Sequence, residues 1–352
     1  MNMANYPFNP SQFTPFQVVS KPITDNWRIW LAENKLLGSS DEHLVAEMSR
    51  FGFNAQAVKA ELATIAASPY FQAGQNLAQL LRKLESHCQV QTALAALSPQ
   101  SALTIDRHPQ LSQAEFFENY YVCHRPVILT EATKNWQALN LWTPEFLRSQ
   151  YGHIAVEIQA NRLANRRYEI DVDAHRHSIT LGEFVDMLAA NTNDYYMVAN
   201  NGNLSKTELR SLLNDIEMFP EYLDRTKAEN AAFFWLGPAG TVTPLHHDAC
   251  NLLFVQIYGR KTWKIIPPFN TPYLYNYEGV FSEVDCEQPD YAKYPLFKNV
   301  CMTEVTLEPG EAIFIPAGWW HHVRSLDVSI SLSFTNFLFP NEYTWNYPQI
   351  RR

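Results

Sequence analysis

Apolar positions along this chain follow two different periods, and the change falls near residue 100. Between 25 and 97, Trp27, Trp30 and Leu31, then Leu44, Val45 and Met48, then Val58, Leu62 and Ile65, then Leu77, Leu80, Leu81 and Leu84 recur at three- and four-residue intervals. That spacing lays them on single helix faces. Gly38-Ser39-Ser40-Asp41-Glu42 gives a helix stop followed by helix-start residues, and Gly52-Phe53-Asn54 punctuates again, so several short helices are expected. Residues 1–20 read as irregular. Beyond about 112 the pattern is mixed: an entry helix at 116–121, a strand at 125–129, and Trp136, Trp142 and Phe146 as core anchors. A helix at 180–188 leads to a strand at Tyr195-Tyr196. Runs at 251–257, 261–266, 311–316 and 329–334 then read as strands separated by the turns Tyr258-Gly259-Arg260 and Pro309-Gly310. The chain therefore divides into a helical domain, 1–100, and a strand-rich domain, 101–352.

Composition narrows the class. The length allows one large domain and a smaller one, and 21 Phe, 17 Tyr and 9 Trp supply bulk for a β core. No apolar run is long enough for a membrane span, and the N-terminus lacks a charged-then-apolar signal pattern. Five scattered cysteines with no CxxC pair fit a reducing cytoplasm. Cys250 is read as a packing residue. A net charge of −9 argues against nucleic acid as a partner, since such binding relies on basic surface. The densest basic stretch, Asn161-Arg162-Leu163-Ala164-Asn165-Arg166-Arg167, is read as a solvated loop.

The chemistry lies in His246-His247-Asp248 and in Trp319-Trp320-His321. Residues i and i+2 of a strand point to the same side, so an extended 241–248 aims His246 and Asp248 one way and His247 the other. His321 is expected just past the end of the strand 311–316, folded back beside the first. Two imidazoles and one carboxylate make the facial set of non-haem Fe(II) oxygenases. The His-x-Asp pattern alone is weak, because 11 His and 36 acidic residues yield about one such match by chance. Lys261 adds weight. On the strand 261–266 it shares the parity of Trp263 and Ile265, whereas Lys264 lies on the other. An inward ammonium needs an anion, and a dicarboxylate co-substrate beside the metal would provide one.

Several segments together resemble the cupin-like (Cupin_8) JmjC oxygenases, the group that includes the asparaginyl hydroxylase acting on hypoxia-inducible factor. They are Thr243-Pro244-Leu245-His246-His247-Asp248, Tyr258-Gly259-Arg260-Lys261, Val284-Asp285-Cys286-Glu287-Gln288-Pro289-Asp290-Tyr291, and Pro309-Gly310 through Ile315-Pro316-Ala317-Gly318-Trp319-Trp320-His321-His322. The likeness covers roughly 105–340. It implies an all-β catalytic core, a double-stranded β-helix or cupin/JmjC jelly roll, with flanking helices and an N-terminal α-helical domain. It further implies that His246, Asp248 and His321 bind Fe(II), with 2-oxoglutarate and O2 completing the site. Lys261 and Thr243 would bind the distal carboxylate of 2-oxoglutarate, with the Tyr196 hydroxyl beside them. Asn251 would lie near the metal-proximal carboxylate, and Ser333 stands where the family has an asparagine near the co-substrate.

The departures bear on substrate. Phe281 and Thr335 occupy the positions of a glutamine and a tryptophan that hold the substrate asparagine in the hypoxia-factor enzyme. The resemblance thus implies a 2-oxoglutarate-dependent hydroxylase of a protein or peptide side chain, but not that asparagine hydroxylation. Hydroxylation of a small molecule or modified nucleoside, and N-methyl demethylation, remain alternatives within the family. A metal-binding cupin with sugar isomerase or dioxygenase chemistry and a non-catalytic metal-binding scaffold are rivals outside it; the first has no use for an inward Lys261. The chain ends soon after 336–340, without room for the C-terminal helix pair through which the hypoxia-factor enzyme dimerises. A homodimer is therefore expected through the N-terminal helices.

Overall fold

Helix-start residues and left-handed glycines set the first elements. The Ser40 hydroxyl accepts from His43 N–H, and the Asn54 side chain accepts from Gln56 and Ala57 N–H; each satisfies donors that a helix start leaves open. Gly38 and Gly52, at φ 101° and 84°, end the preceding helices. The result is α1 (Asp25–Leu36), α2 (Asp41–Arg50) and α3 (Ala55–Ala67). Leu31, Leu44, Met48, Phe53, Val58 and Leu62 form their buried core, with Trp27 and Trp30 packed against it. The next helix departs from the short-helix expectation: α4 (Pro69–Leu97) runs 29 residues. Leu77, Leu80, Leu81 and Leu84 on it are each more than half exposed.

This computed structural model describes residues 21–97, 104–230, 232–276, 278–341 and 343. It divides into two compact units, Met1–His87 and Cys88–Arg352. The boundary expected at 100/101 and the irregular segment 1–20 lie outside the described residues. Among the described residues no helix is long and apolar enough to cross a membrane.

The second unit contains β1 (Asp106–His108), β2 (Val127–Leu129), β3 (Ala155–Gln159), β4 (Arg176–Thr180), β5 (Ala232–Gly237), β6 (Val242–His247), β7 (Leu252–Tyr258), β8 (Lys261–Ile266), β9 (Thr303–Leu307), β10 (Ala312–Ile315), β11 (Trp320–Ser325) and β12 (Ser329–Phe334). One sheet has the order β1-β2-β10-β7-β12-β5, the second β6-β11-β8-β9, and β3 pairs with β4. From β5 to β12 the chain passes between the two sheets at every step except β8 to β9, which pair with each other, and this makes the core a double-stranded β-helix with flanking helices. Burial follows from this layering. Within the larger sheet β10 and β12 are buried at every position, whereas β8 of the second sheet alternates between buried and half-buried positions up to Ile265. On β12, Ile330, Leu332 and Phe334 join the core shared with Phe116, Trp136 and Trp142. Between β7 and β8, Gly259 has φ 67°, and a Cβ there would meet the Val328 carbonyl at 2.1 Å.

Two expectations are corrected. The strand beside β6 is β11, not the run 311–316: β10 pairs with β2 and β7. Pro316 stops that run and Gly318, at φ 76°, turns the chain, so His321 opens a strand of its own. The Tyr195-Tyr196 segment forms only isolated bridges, Gln159 with Tyr196 and Met197 with Leu236.

Candidate active site

The pairing of β6 with β11 sets His321 directly across from His246, with ring centroids 4.2 Å apart. Asp248 follows the end of β6, and its carbonyl is held by Gly318 N–H at 2.8 Å. Ligand atoms of His246, Asp248 and His321 all lie within 4.8 Å of one another. Each histidine is keyed by the carbonyl two residues before it: His246 Nδ1 donates to Pro244 O at 2.8 Å and His321 Nδ1 to Trp319 O at 3.0 Å. A carbonyl only accepts, so Nδ1 carries the proton and Nε2 offers its lone pair to the site. Burial, reinforced by neighbouring His246, pushes the His321 pKa down to about 3. The ring is neutral, as a metal ligand must be. His247 faces the other way, packed on Trp320 at 4.6 Å. His322, buried near Glu287, is likewise not part of the group.

These ligands open into a cavity of about 380 Å³ that also receives Lys261, Tyr196, Thr243 and Ser333. Lys261 is buried, and its Nζ donates to the Tyr196 hydroxyl at 2.7 Å. Desolvation lowers its pKa to about 7, and no carboxylate pairs with it among the described residues. Burial raises the Tyr196 pKa, so the phenol stays protonated. The Ser333 hydroxyl accepts from Trp235 Nε1 at 2.9 Å. Phe281, stacked on the His246 ring, and Thr335 complete the opposite wall.

Asn251 does not line the cavity. Its side chain accepts from Ala317 N–H at 2.9 Å, and its backbone is bracketed by Asn341. It therefore fixes the turn before β11 instead of meeting a co-substrate. Cys250, read as packing, lines the cavity, where burial raises its thiol pKa to about 11. The basic stretch is exposed, as its reading as a solvated loop expects, except at half-buried Asn165 and at Arg162. Arg162 is fully buried, ion-paired with Glu169 at 3.1 Å, and its guanidinium lies 4.1 Å from the Tyr168 ring centroid. Glu169 and Asn200 line the cavity and had no sequence signal, since neither belongs to a motif.

The donor set fits a divalent transition metal of the iron type, and an unpaired buried ammonium in the same cavity fits a dianionic co-ligand. Comparison with known proteins agrees: residues 113–342 match the cupin-like domain family. The chain belongs to that family, in its JmjC-type branch. It is 31% identical over 235 residues to lysine-specific demethylase 8 of Xenopus tropicalis, covering 63% of this chain and 50% of that protein. It is 33% identical over 254 residues to JmjC domain-containing protein D of Dictyostelium discoideum, covering 65% and 54%. Over 108 residues it is 43% identical to human HSPB1-associated protein 1, covering 28% and 22%. The chain spans about half the length of the first two.

Proposed function

We propose that this chain is an Fe(II)- and 2-oxoglutarate-dependent oxygenase that hydroxylates a side chain of a protein or peptide. One observation carries the reading: a two-histidine, one-carboxylate set shares a cavity with a buried lysine that lacks a carboxylate partner among the described residues. His246, Asp248 and His321 would hold the metal, and three protein ligands leave the remaining positions of a six-coordinate ion for small ligands. Lys261, with Tyr196 and Thr243, would bind the distal carboxylate of 2-oxoglutarate. Bound there, metal and co-substrate would supply the oxidising power: 2-oxoglutarate would lose CO2 to give succinate, with one atom of O2 entering succinate and the other a substrate C–H bond. The chain's own part is orientation and water exclusion: Trp263 stacks on His321 at 5.6 Å and Phe281 on His246 at 5.5 Å, so apolar rings surround the ligands.

A second reading is favoured by the names of the relatives. Lysine demethylation is written in one of them, and hydroxylating an N-methyl group would release formaldehyde from the same C–H step. The two readings separate in one assay. Incubation with Fe(II), 2-oxoglutarate and peptides bearing plain or N-methylated lysines should release succinate. A peptide product gaining one oxygen supports hydroxylation, and formaldehyde with loss of a methyl supports demethylation. Turnover independent of 2-oxoglutarate would contradict both.

A further inference from the structure

Loop 162–171 brings Glu169 to the cavity and is tied down at two points of opposite character. The inner tie is buried. Arg162 Nη2 donates to the Val242 carbonyl at 2.7 Å and to Glu169 at 3.1 Å, and the Tyr168 hydroxyl donates to the same carbonyl at 3.3 Å. These bonds fix the loop to the start of β6. The outer tie is partly exposed: Arg167 Nη1 and Nη2 donate to the two carboxylate oxygens of Glu278 at 2.9 and 3.0 Å. Glu278 opens the turn that carries Val280 and Phe281. That turn is itself anchored to β6, by His247 N–H to Val280 O at 3.1 Å and Ser282 N–H to Leu245 O at 2.9 Å. Glu169, Val280 and Phe281 all line the cavity. The Arg167–Glu278 fork therefore joins two segments that are distant in sequence.

We propose that Arg167 and Glu278 form a clasp that holds loop 162–171 against the 278–281 turn and sets how readily the turn that carries Phe281 moves away from the cavity. Neither residue lines the cavity, so both are positioning residues. The two ties differ in how they can break. Releasing Arg162 would strand a charge whose side chain is fully buried, which is costly. Releasing Arg167 returns both charges to water. A single exposed ion pair contributes little, but a forked arginine–carboxylate pair between two otherwise anchored segments is the favourable case. Breaking the fork thus leaves Arg162, Tyr168 and Glu169 in the buried tie and loosens the segment 163–167 between them together with the Glu278 end of the turn. Only the co-substrate arm of the test below rests on the proposed function.

Amide hydrogen exchange on the full chain, without metal, tests the clasp itself. Arg167→Met and Glu278→Gln should each raise exchange of the 163–167 amides about fivefold, the effect expected for one favourable exposed pair, without changing the melting temperature noticeably. The swap Arg167→Glu with Glu278→Arg should recover part of that rise; Asp171, 3.6 Å from Arg167 Nε, limits the recovery. In a second arm, 2-oxoglutarate release from the Mn(II)-loaded protein is followed by fluorescence of Trp235 and Trp263, which line the cavity. Release should quicken about fivefold in each single variant. Unchanged exchange, a swap no better than the single variants, or faster exchange with unchanged release would each overturn the proposal. Failure of the wild type to bind 2-oxoglutarate would sink the functional reading instead, and the exchange arm would still decide the clasp.

Discussion

The Lys261 ammonium meets the Tyr196 hydroxyl at 2.7 Å inside a cavity from which both side chains are closed to solvent. Tyr196 stays protonated because burial raises its pKa, so the pair offers a cation and a neutral hydroxyl, both suited to an incoming carboxylate. Lys261→Met keeps the stem and removes the charge. It should raise the KM for 2-oxoglutarate roughly tenfold to a hundredfold, the loss of a charge-assisted bond of roughly 1.5–3 kcal/mol. Lys264→Met is the matched control. Lys264 donates to the Cys286 carbonyl at 3.2 Å on the outer side of β8 and should leave that KM alone. Steady-state succinate assays on both variants check this, and an unaltered KM in the Lys261 variant would show that another cation binds the carboxylate.

The same lysine has a stability signature. Burial lowers its folded pKa to about 7, below its unfolded value near 10.4. Between those values the unfolded chain binds more protons, so the contribution of Lys261 to stability rises with pH across this window and is least favourable below about 7. Lys261→Met should therefore melt higher than the wild type at pH 6, and the gap should shrink toward pH 10. Thermal melts of the ligand-free proteins across that range test the sign; a variant that melts lower at pH 6 would mean the charge is compensated in the fold.

Tyr196→Phe separates the hydroxyl from the ring. The ring still packs near Trp235, with centroids 5.9 Å apart, and only the bond to Lys261 is lost. An increase of about fivefold in the KM for 2-oxoglutarate is expected from one hydrogen bond of about 1 kcal/mol, with kcat little changed. Asn251→Ala is expected to do the reverse. It removes the acceptor for Ala317 N–H, so it should lower stability by about 1–3 kcal/mol and leave the 2-oxoglutarate KM near the wild-type value. Melting and kinetics on the two variants distinguish a ligand contact from a scaffold contact.

Much of the site was legible because strand parity is strict. Alternation alone separated His246 from His247 and Lys261 from Lys264, and the turn glycine between β7 and β8 was visible as a dipeptide signal. What failed were features fixed by tertiary pairing. Trp319-Trp320-His321-His322 carries no alternation, so β11 was hidden behind the apolar run that became β10. Arg162 looked like one more charge in a basic stretch; its burial depends on Glu169, seven residues on, and on the Val242 carbonyl of β6. Asn251 stood close to the metal motif in sequence, yet the turn at Ala317 claims its side chain. In the helical region the caps at Ser40 and Asn54 and the end near residue 97 were readable, but the run 69–97 was read as short helices and is one helix of 29 residues.

Those exposed leucines bear on the expected homodimer, for which α4 is the proposed surface. Trp27, Trp30, Leu44 and Met48 are used within the three-helix core. Leu77, Leu80, Leu81 and Leu84 are not. Replacing Leu80, Leu81 and Leu84 with glutamine preserves helix propensity and should convert a dimer to a monomer with the metal site intact. Light scattering decides: a monomeric wild type, or a variant that remains dimeric, would rule out this surface.

The central claim is that His246, Asp248 and His321 form one metal site that drives 2-oxoglutarate turnover. Its most direct test is succinate release measured side by side for the Fe(II)-supplied wild type, His321→Ala and His247→Ala. His321 points its Nε2 to within 3.7 Å of Asp248, whereas His247 packs away from the group on Trp320. The account predicts loss of 2-oxoglutarate-dependent succinate in the His321 variant and measurable release in the His247 variant. Full activity in His321→Ala would contradict it.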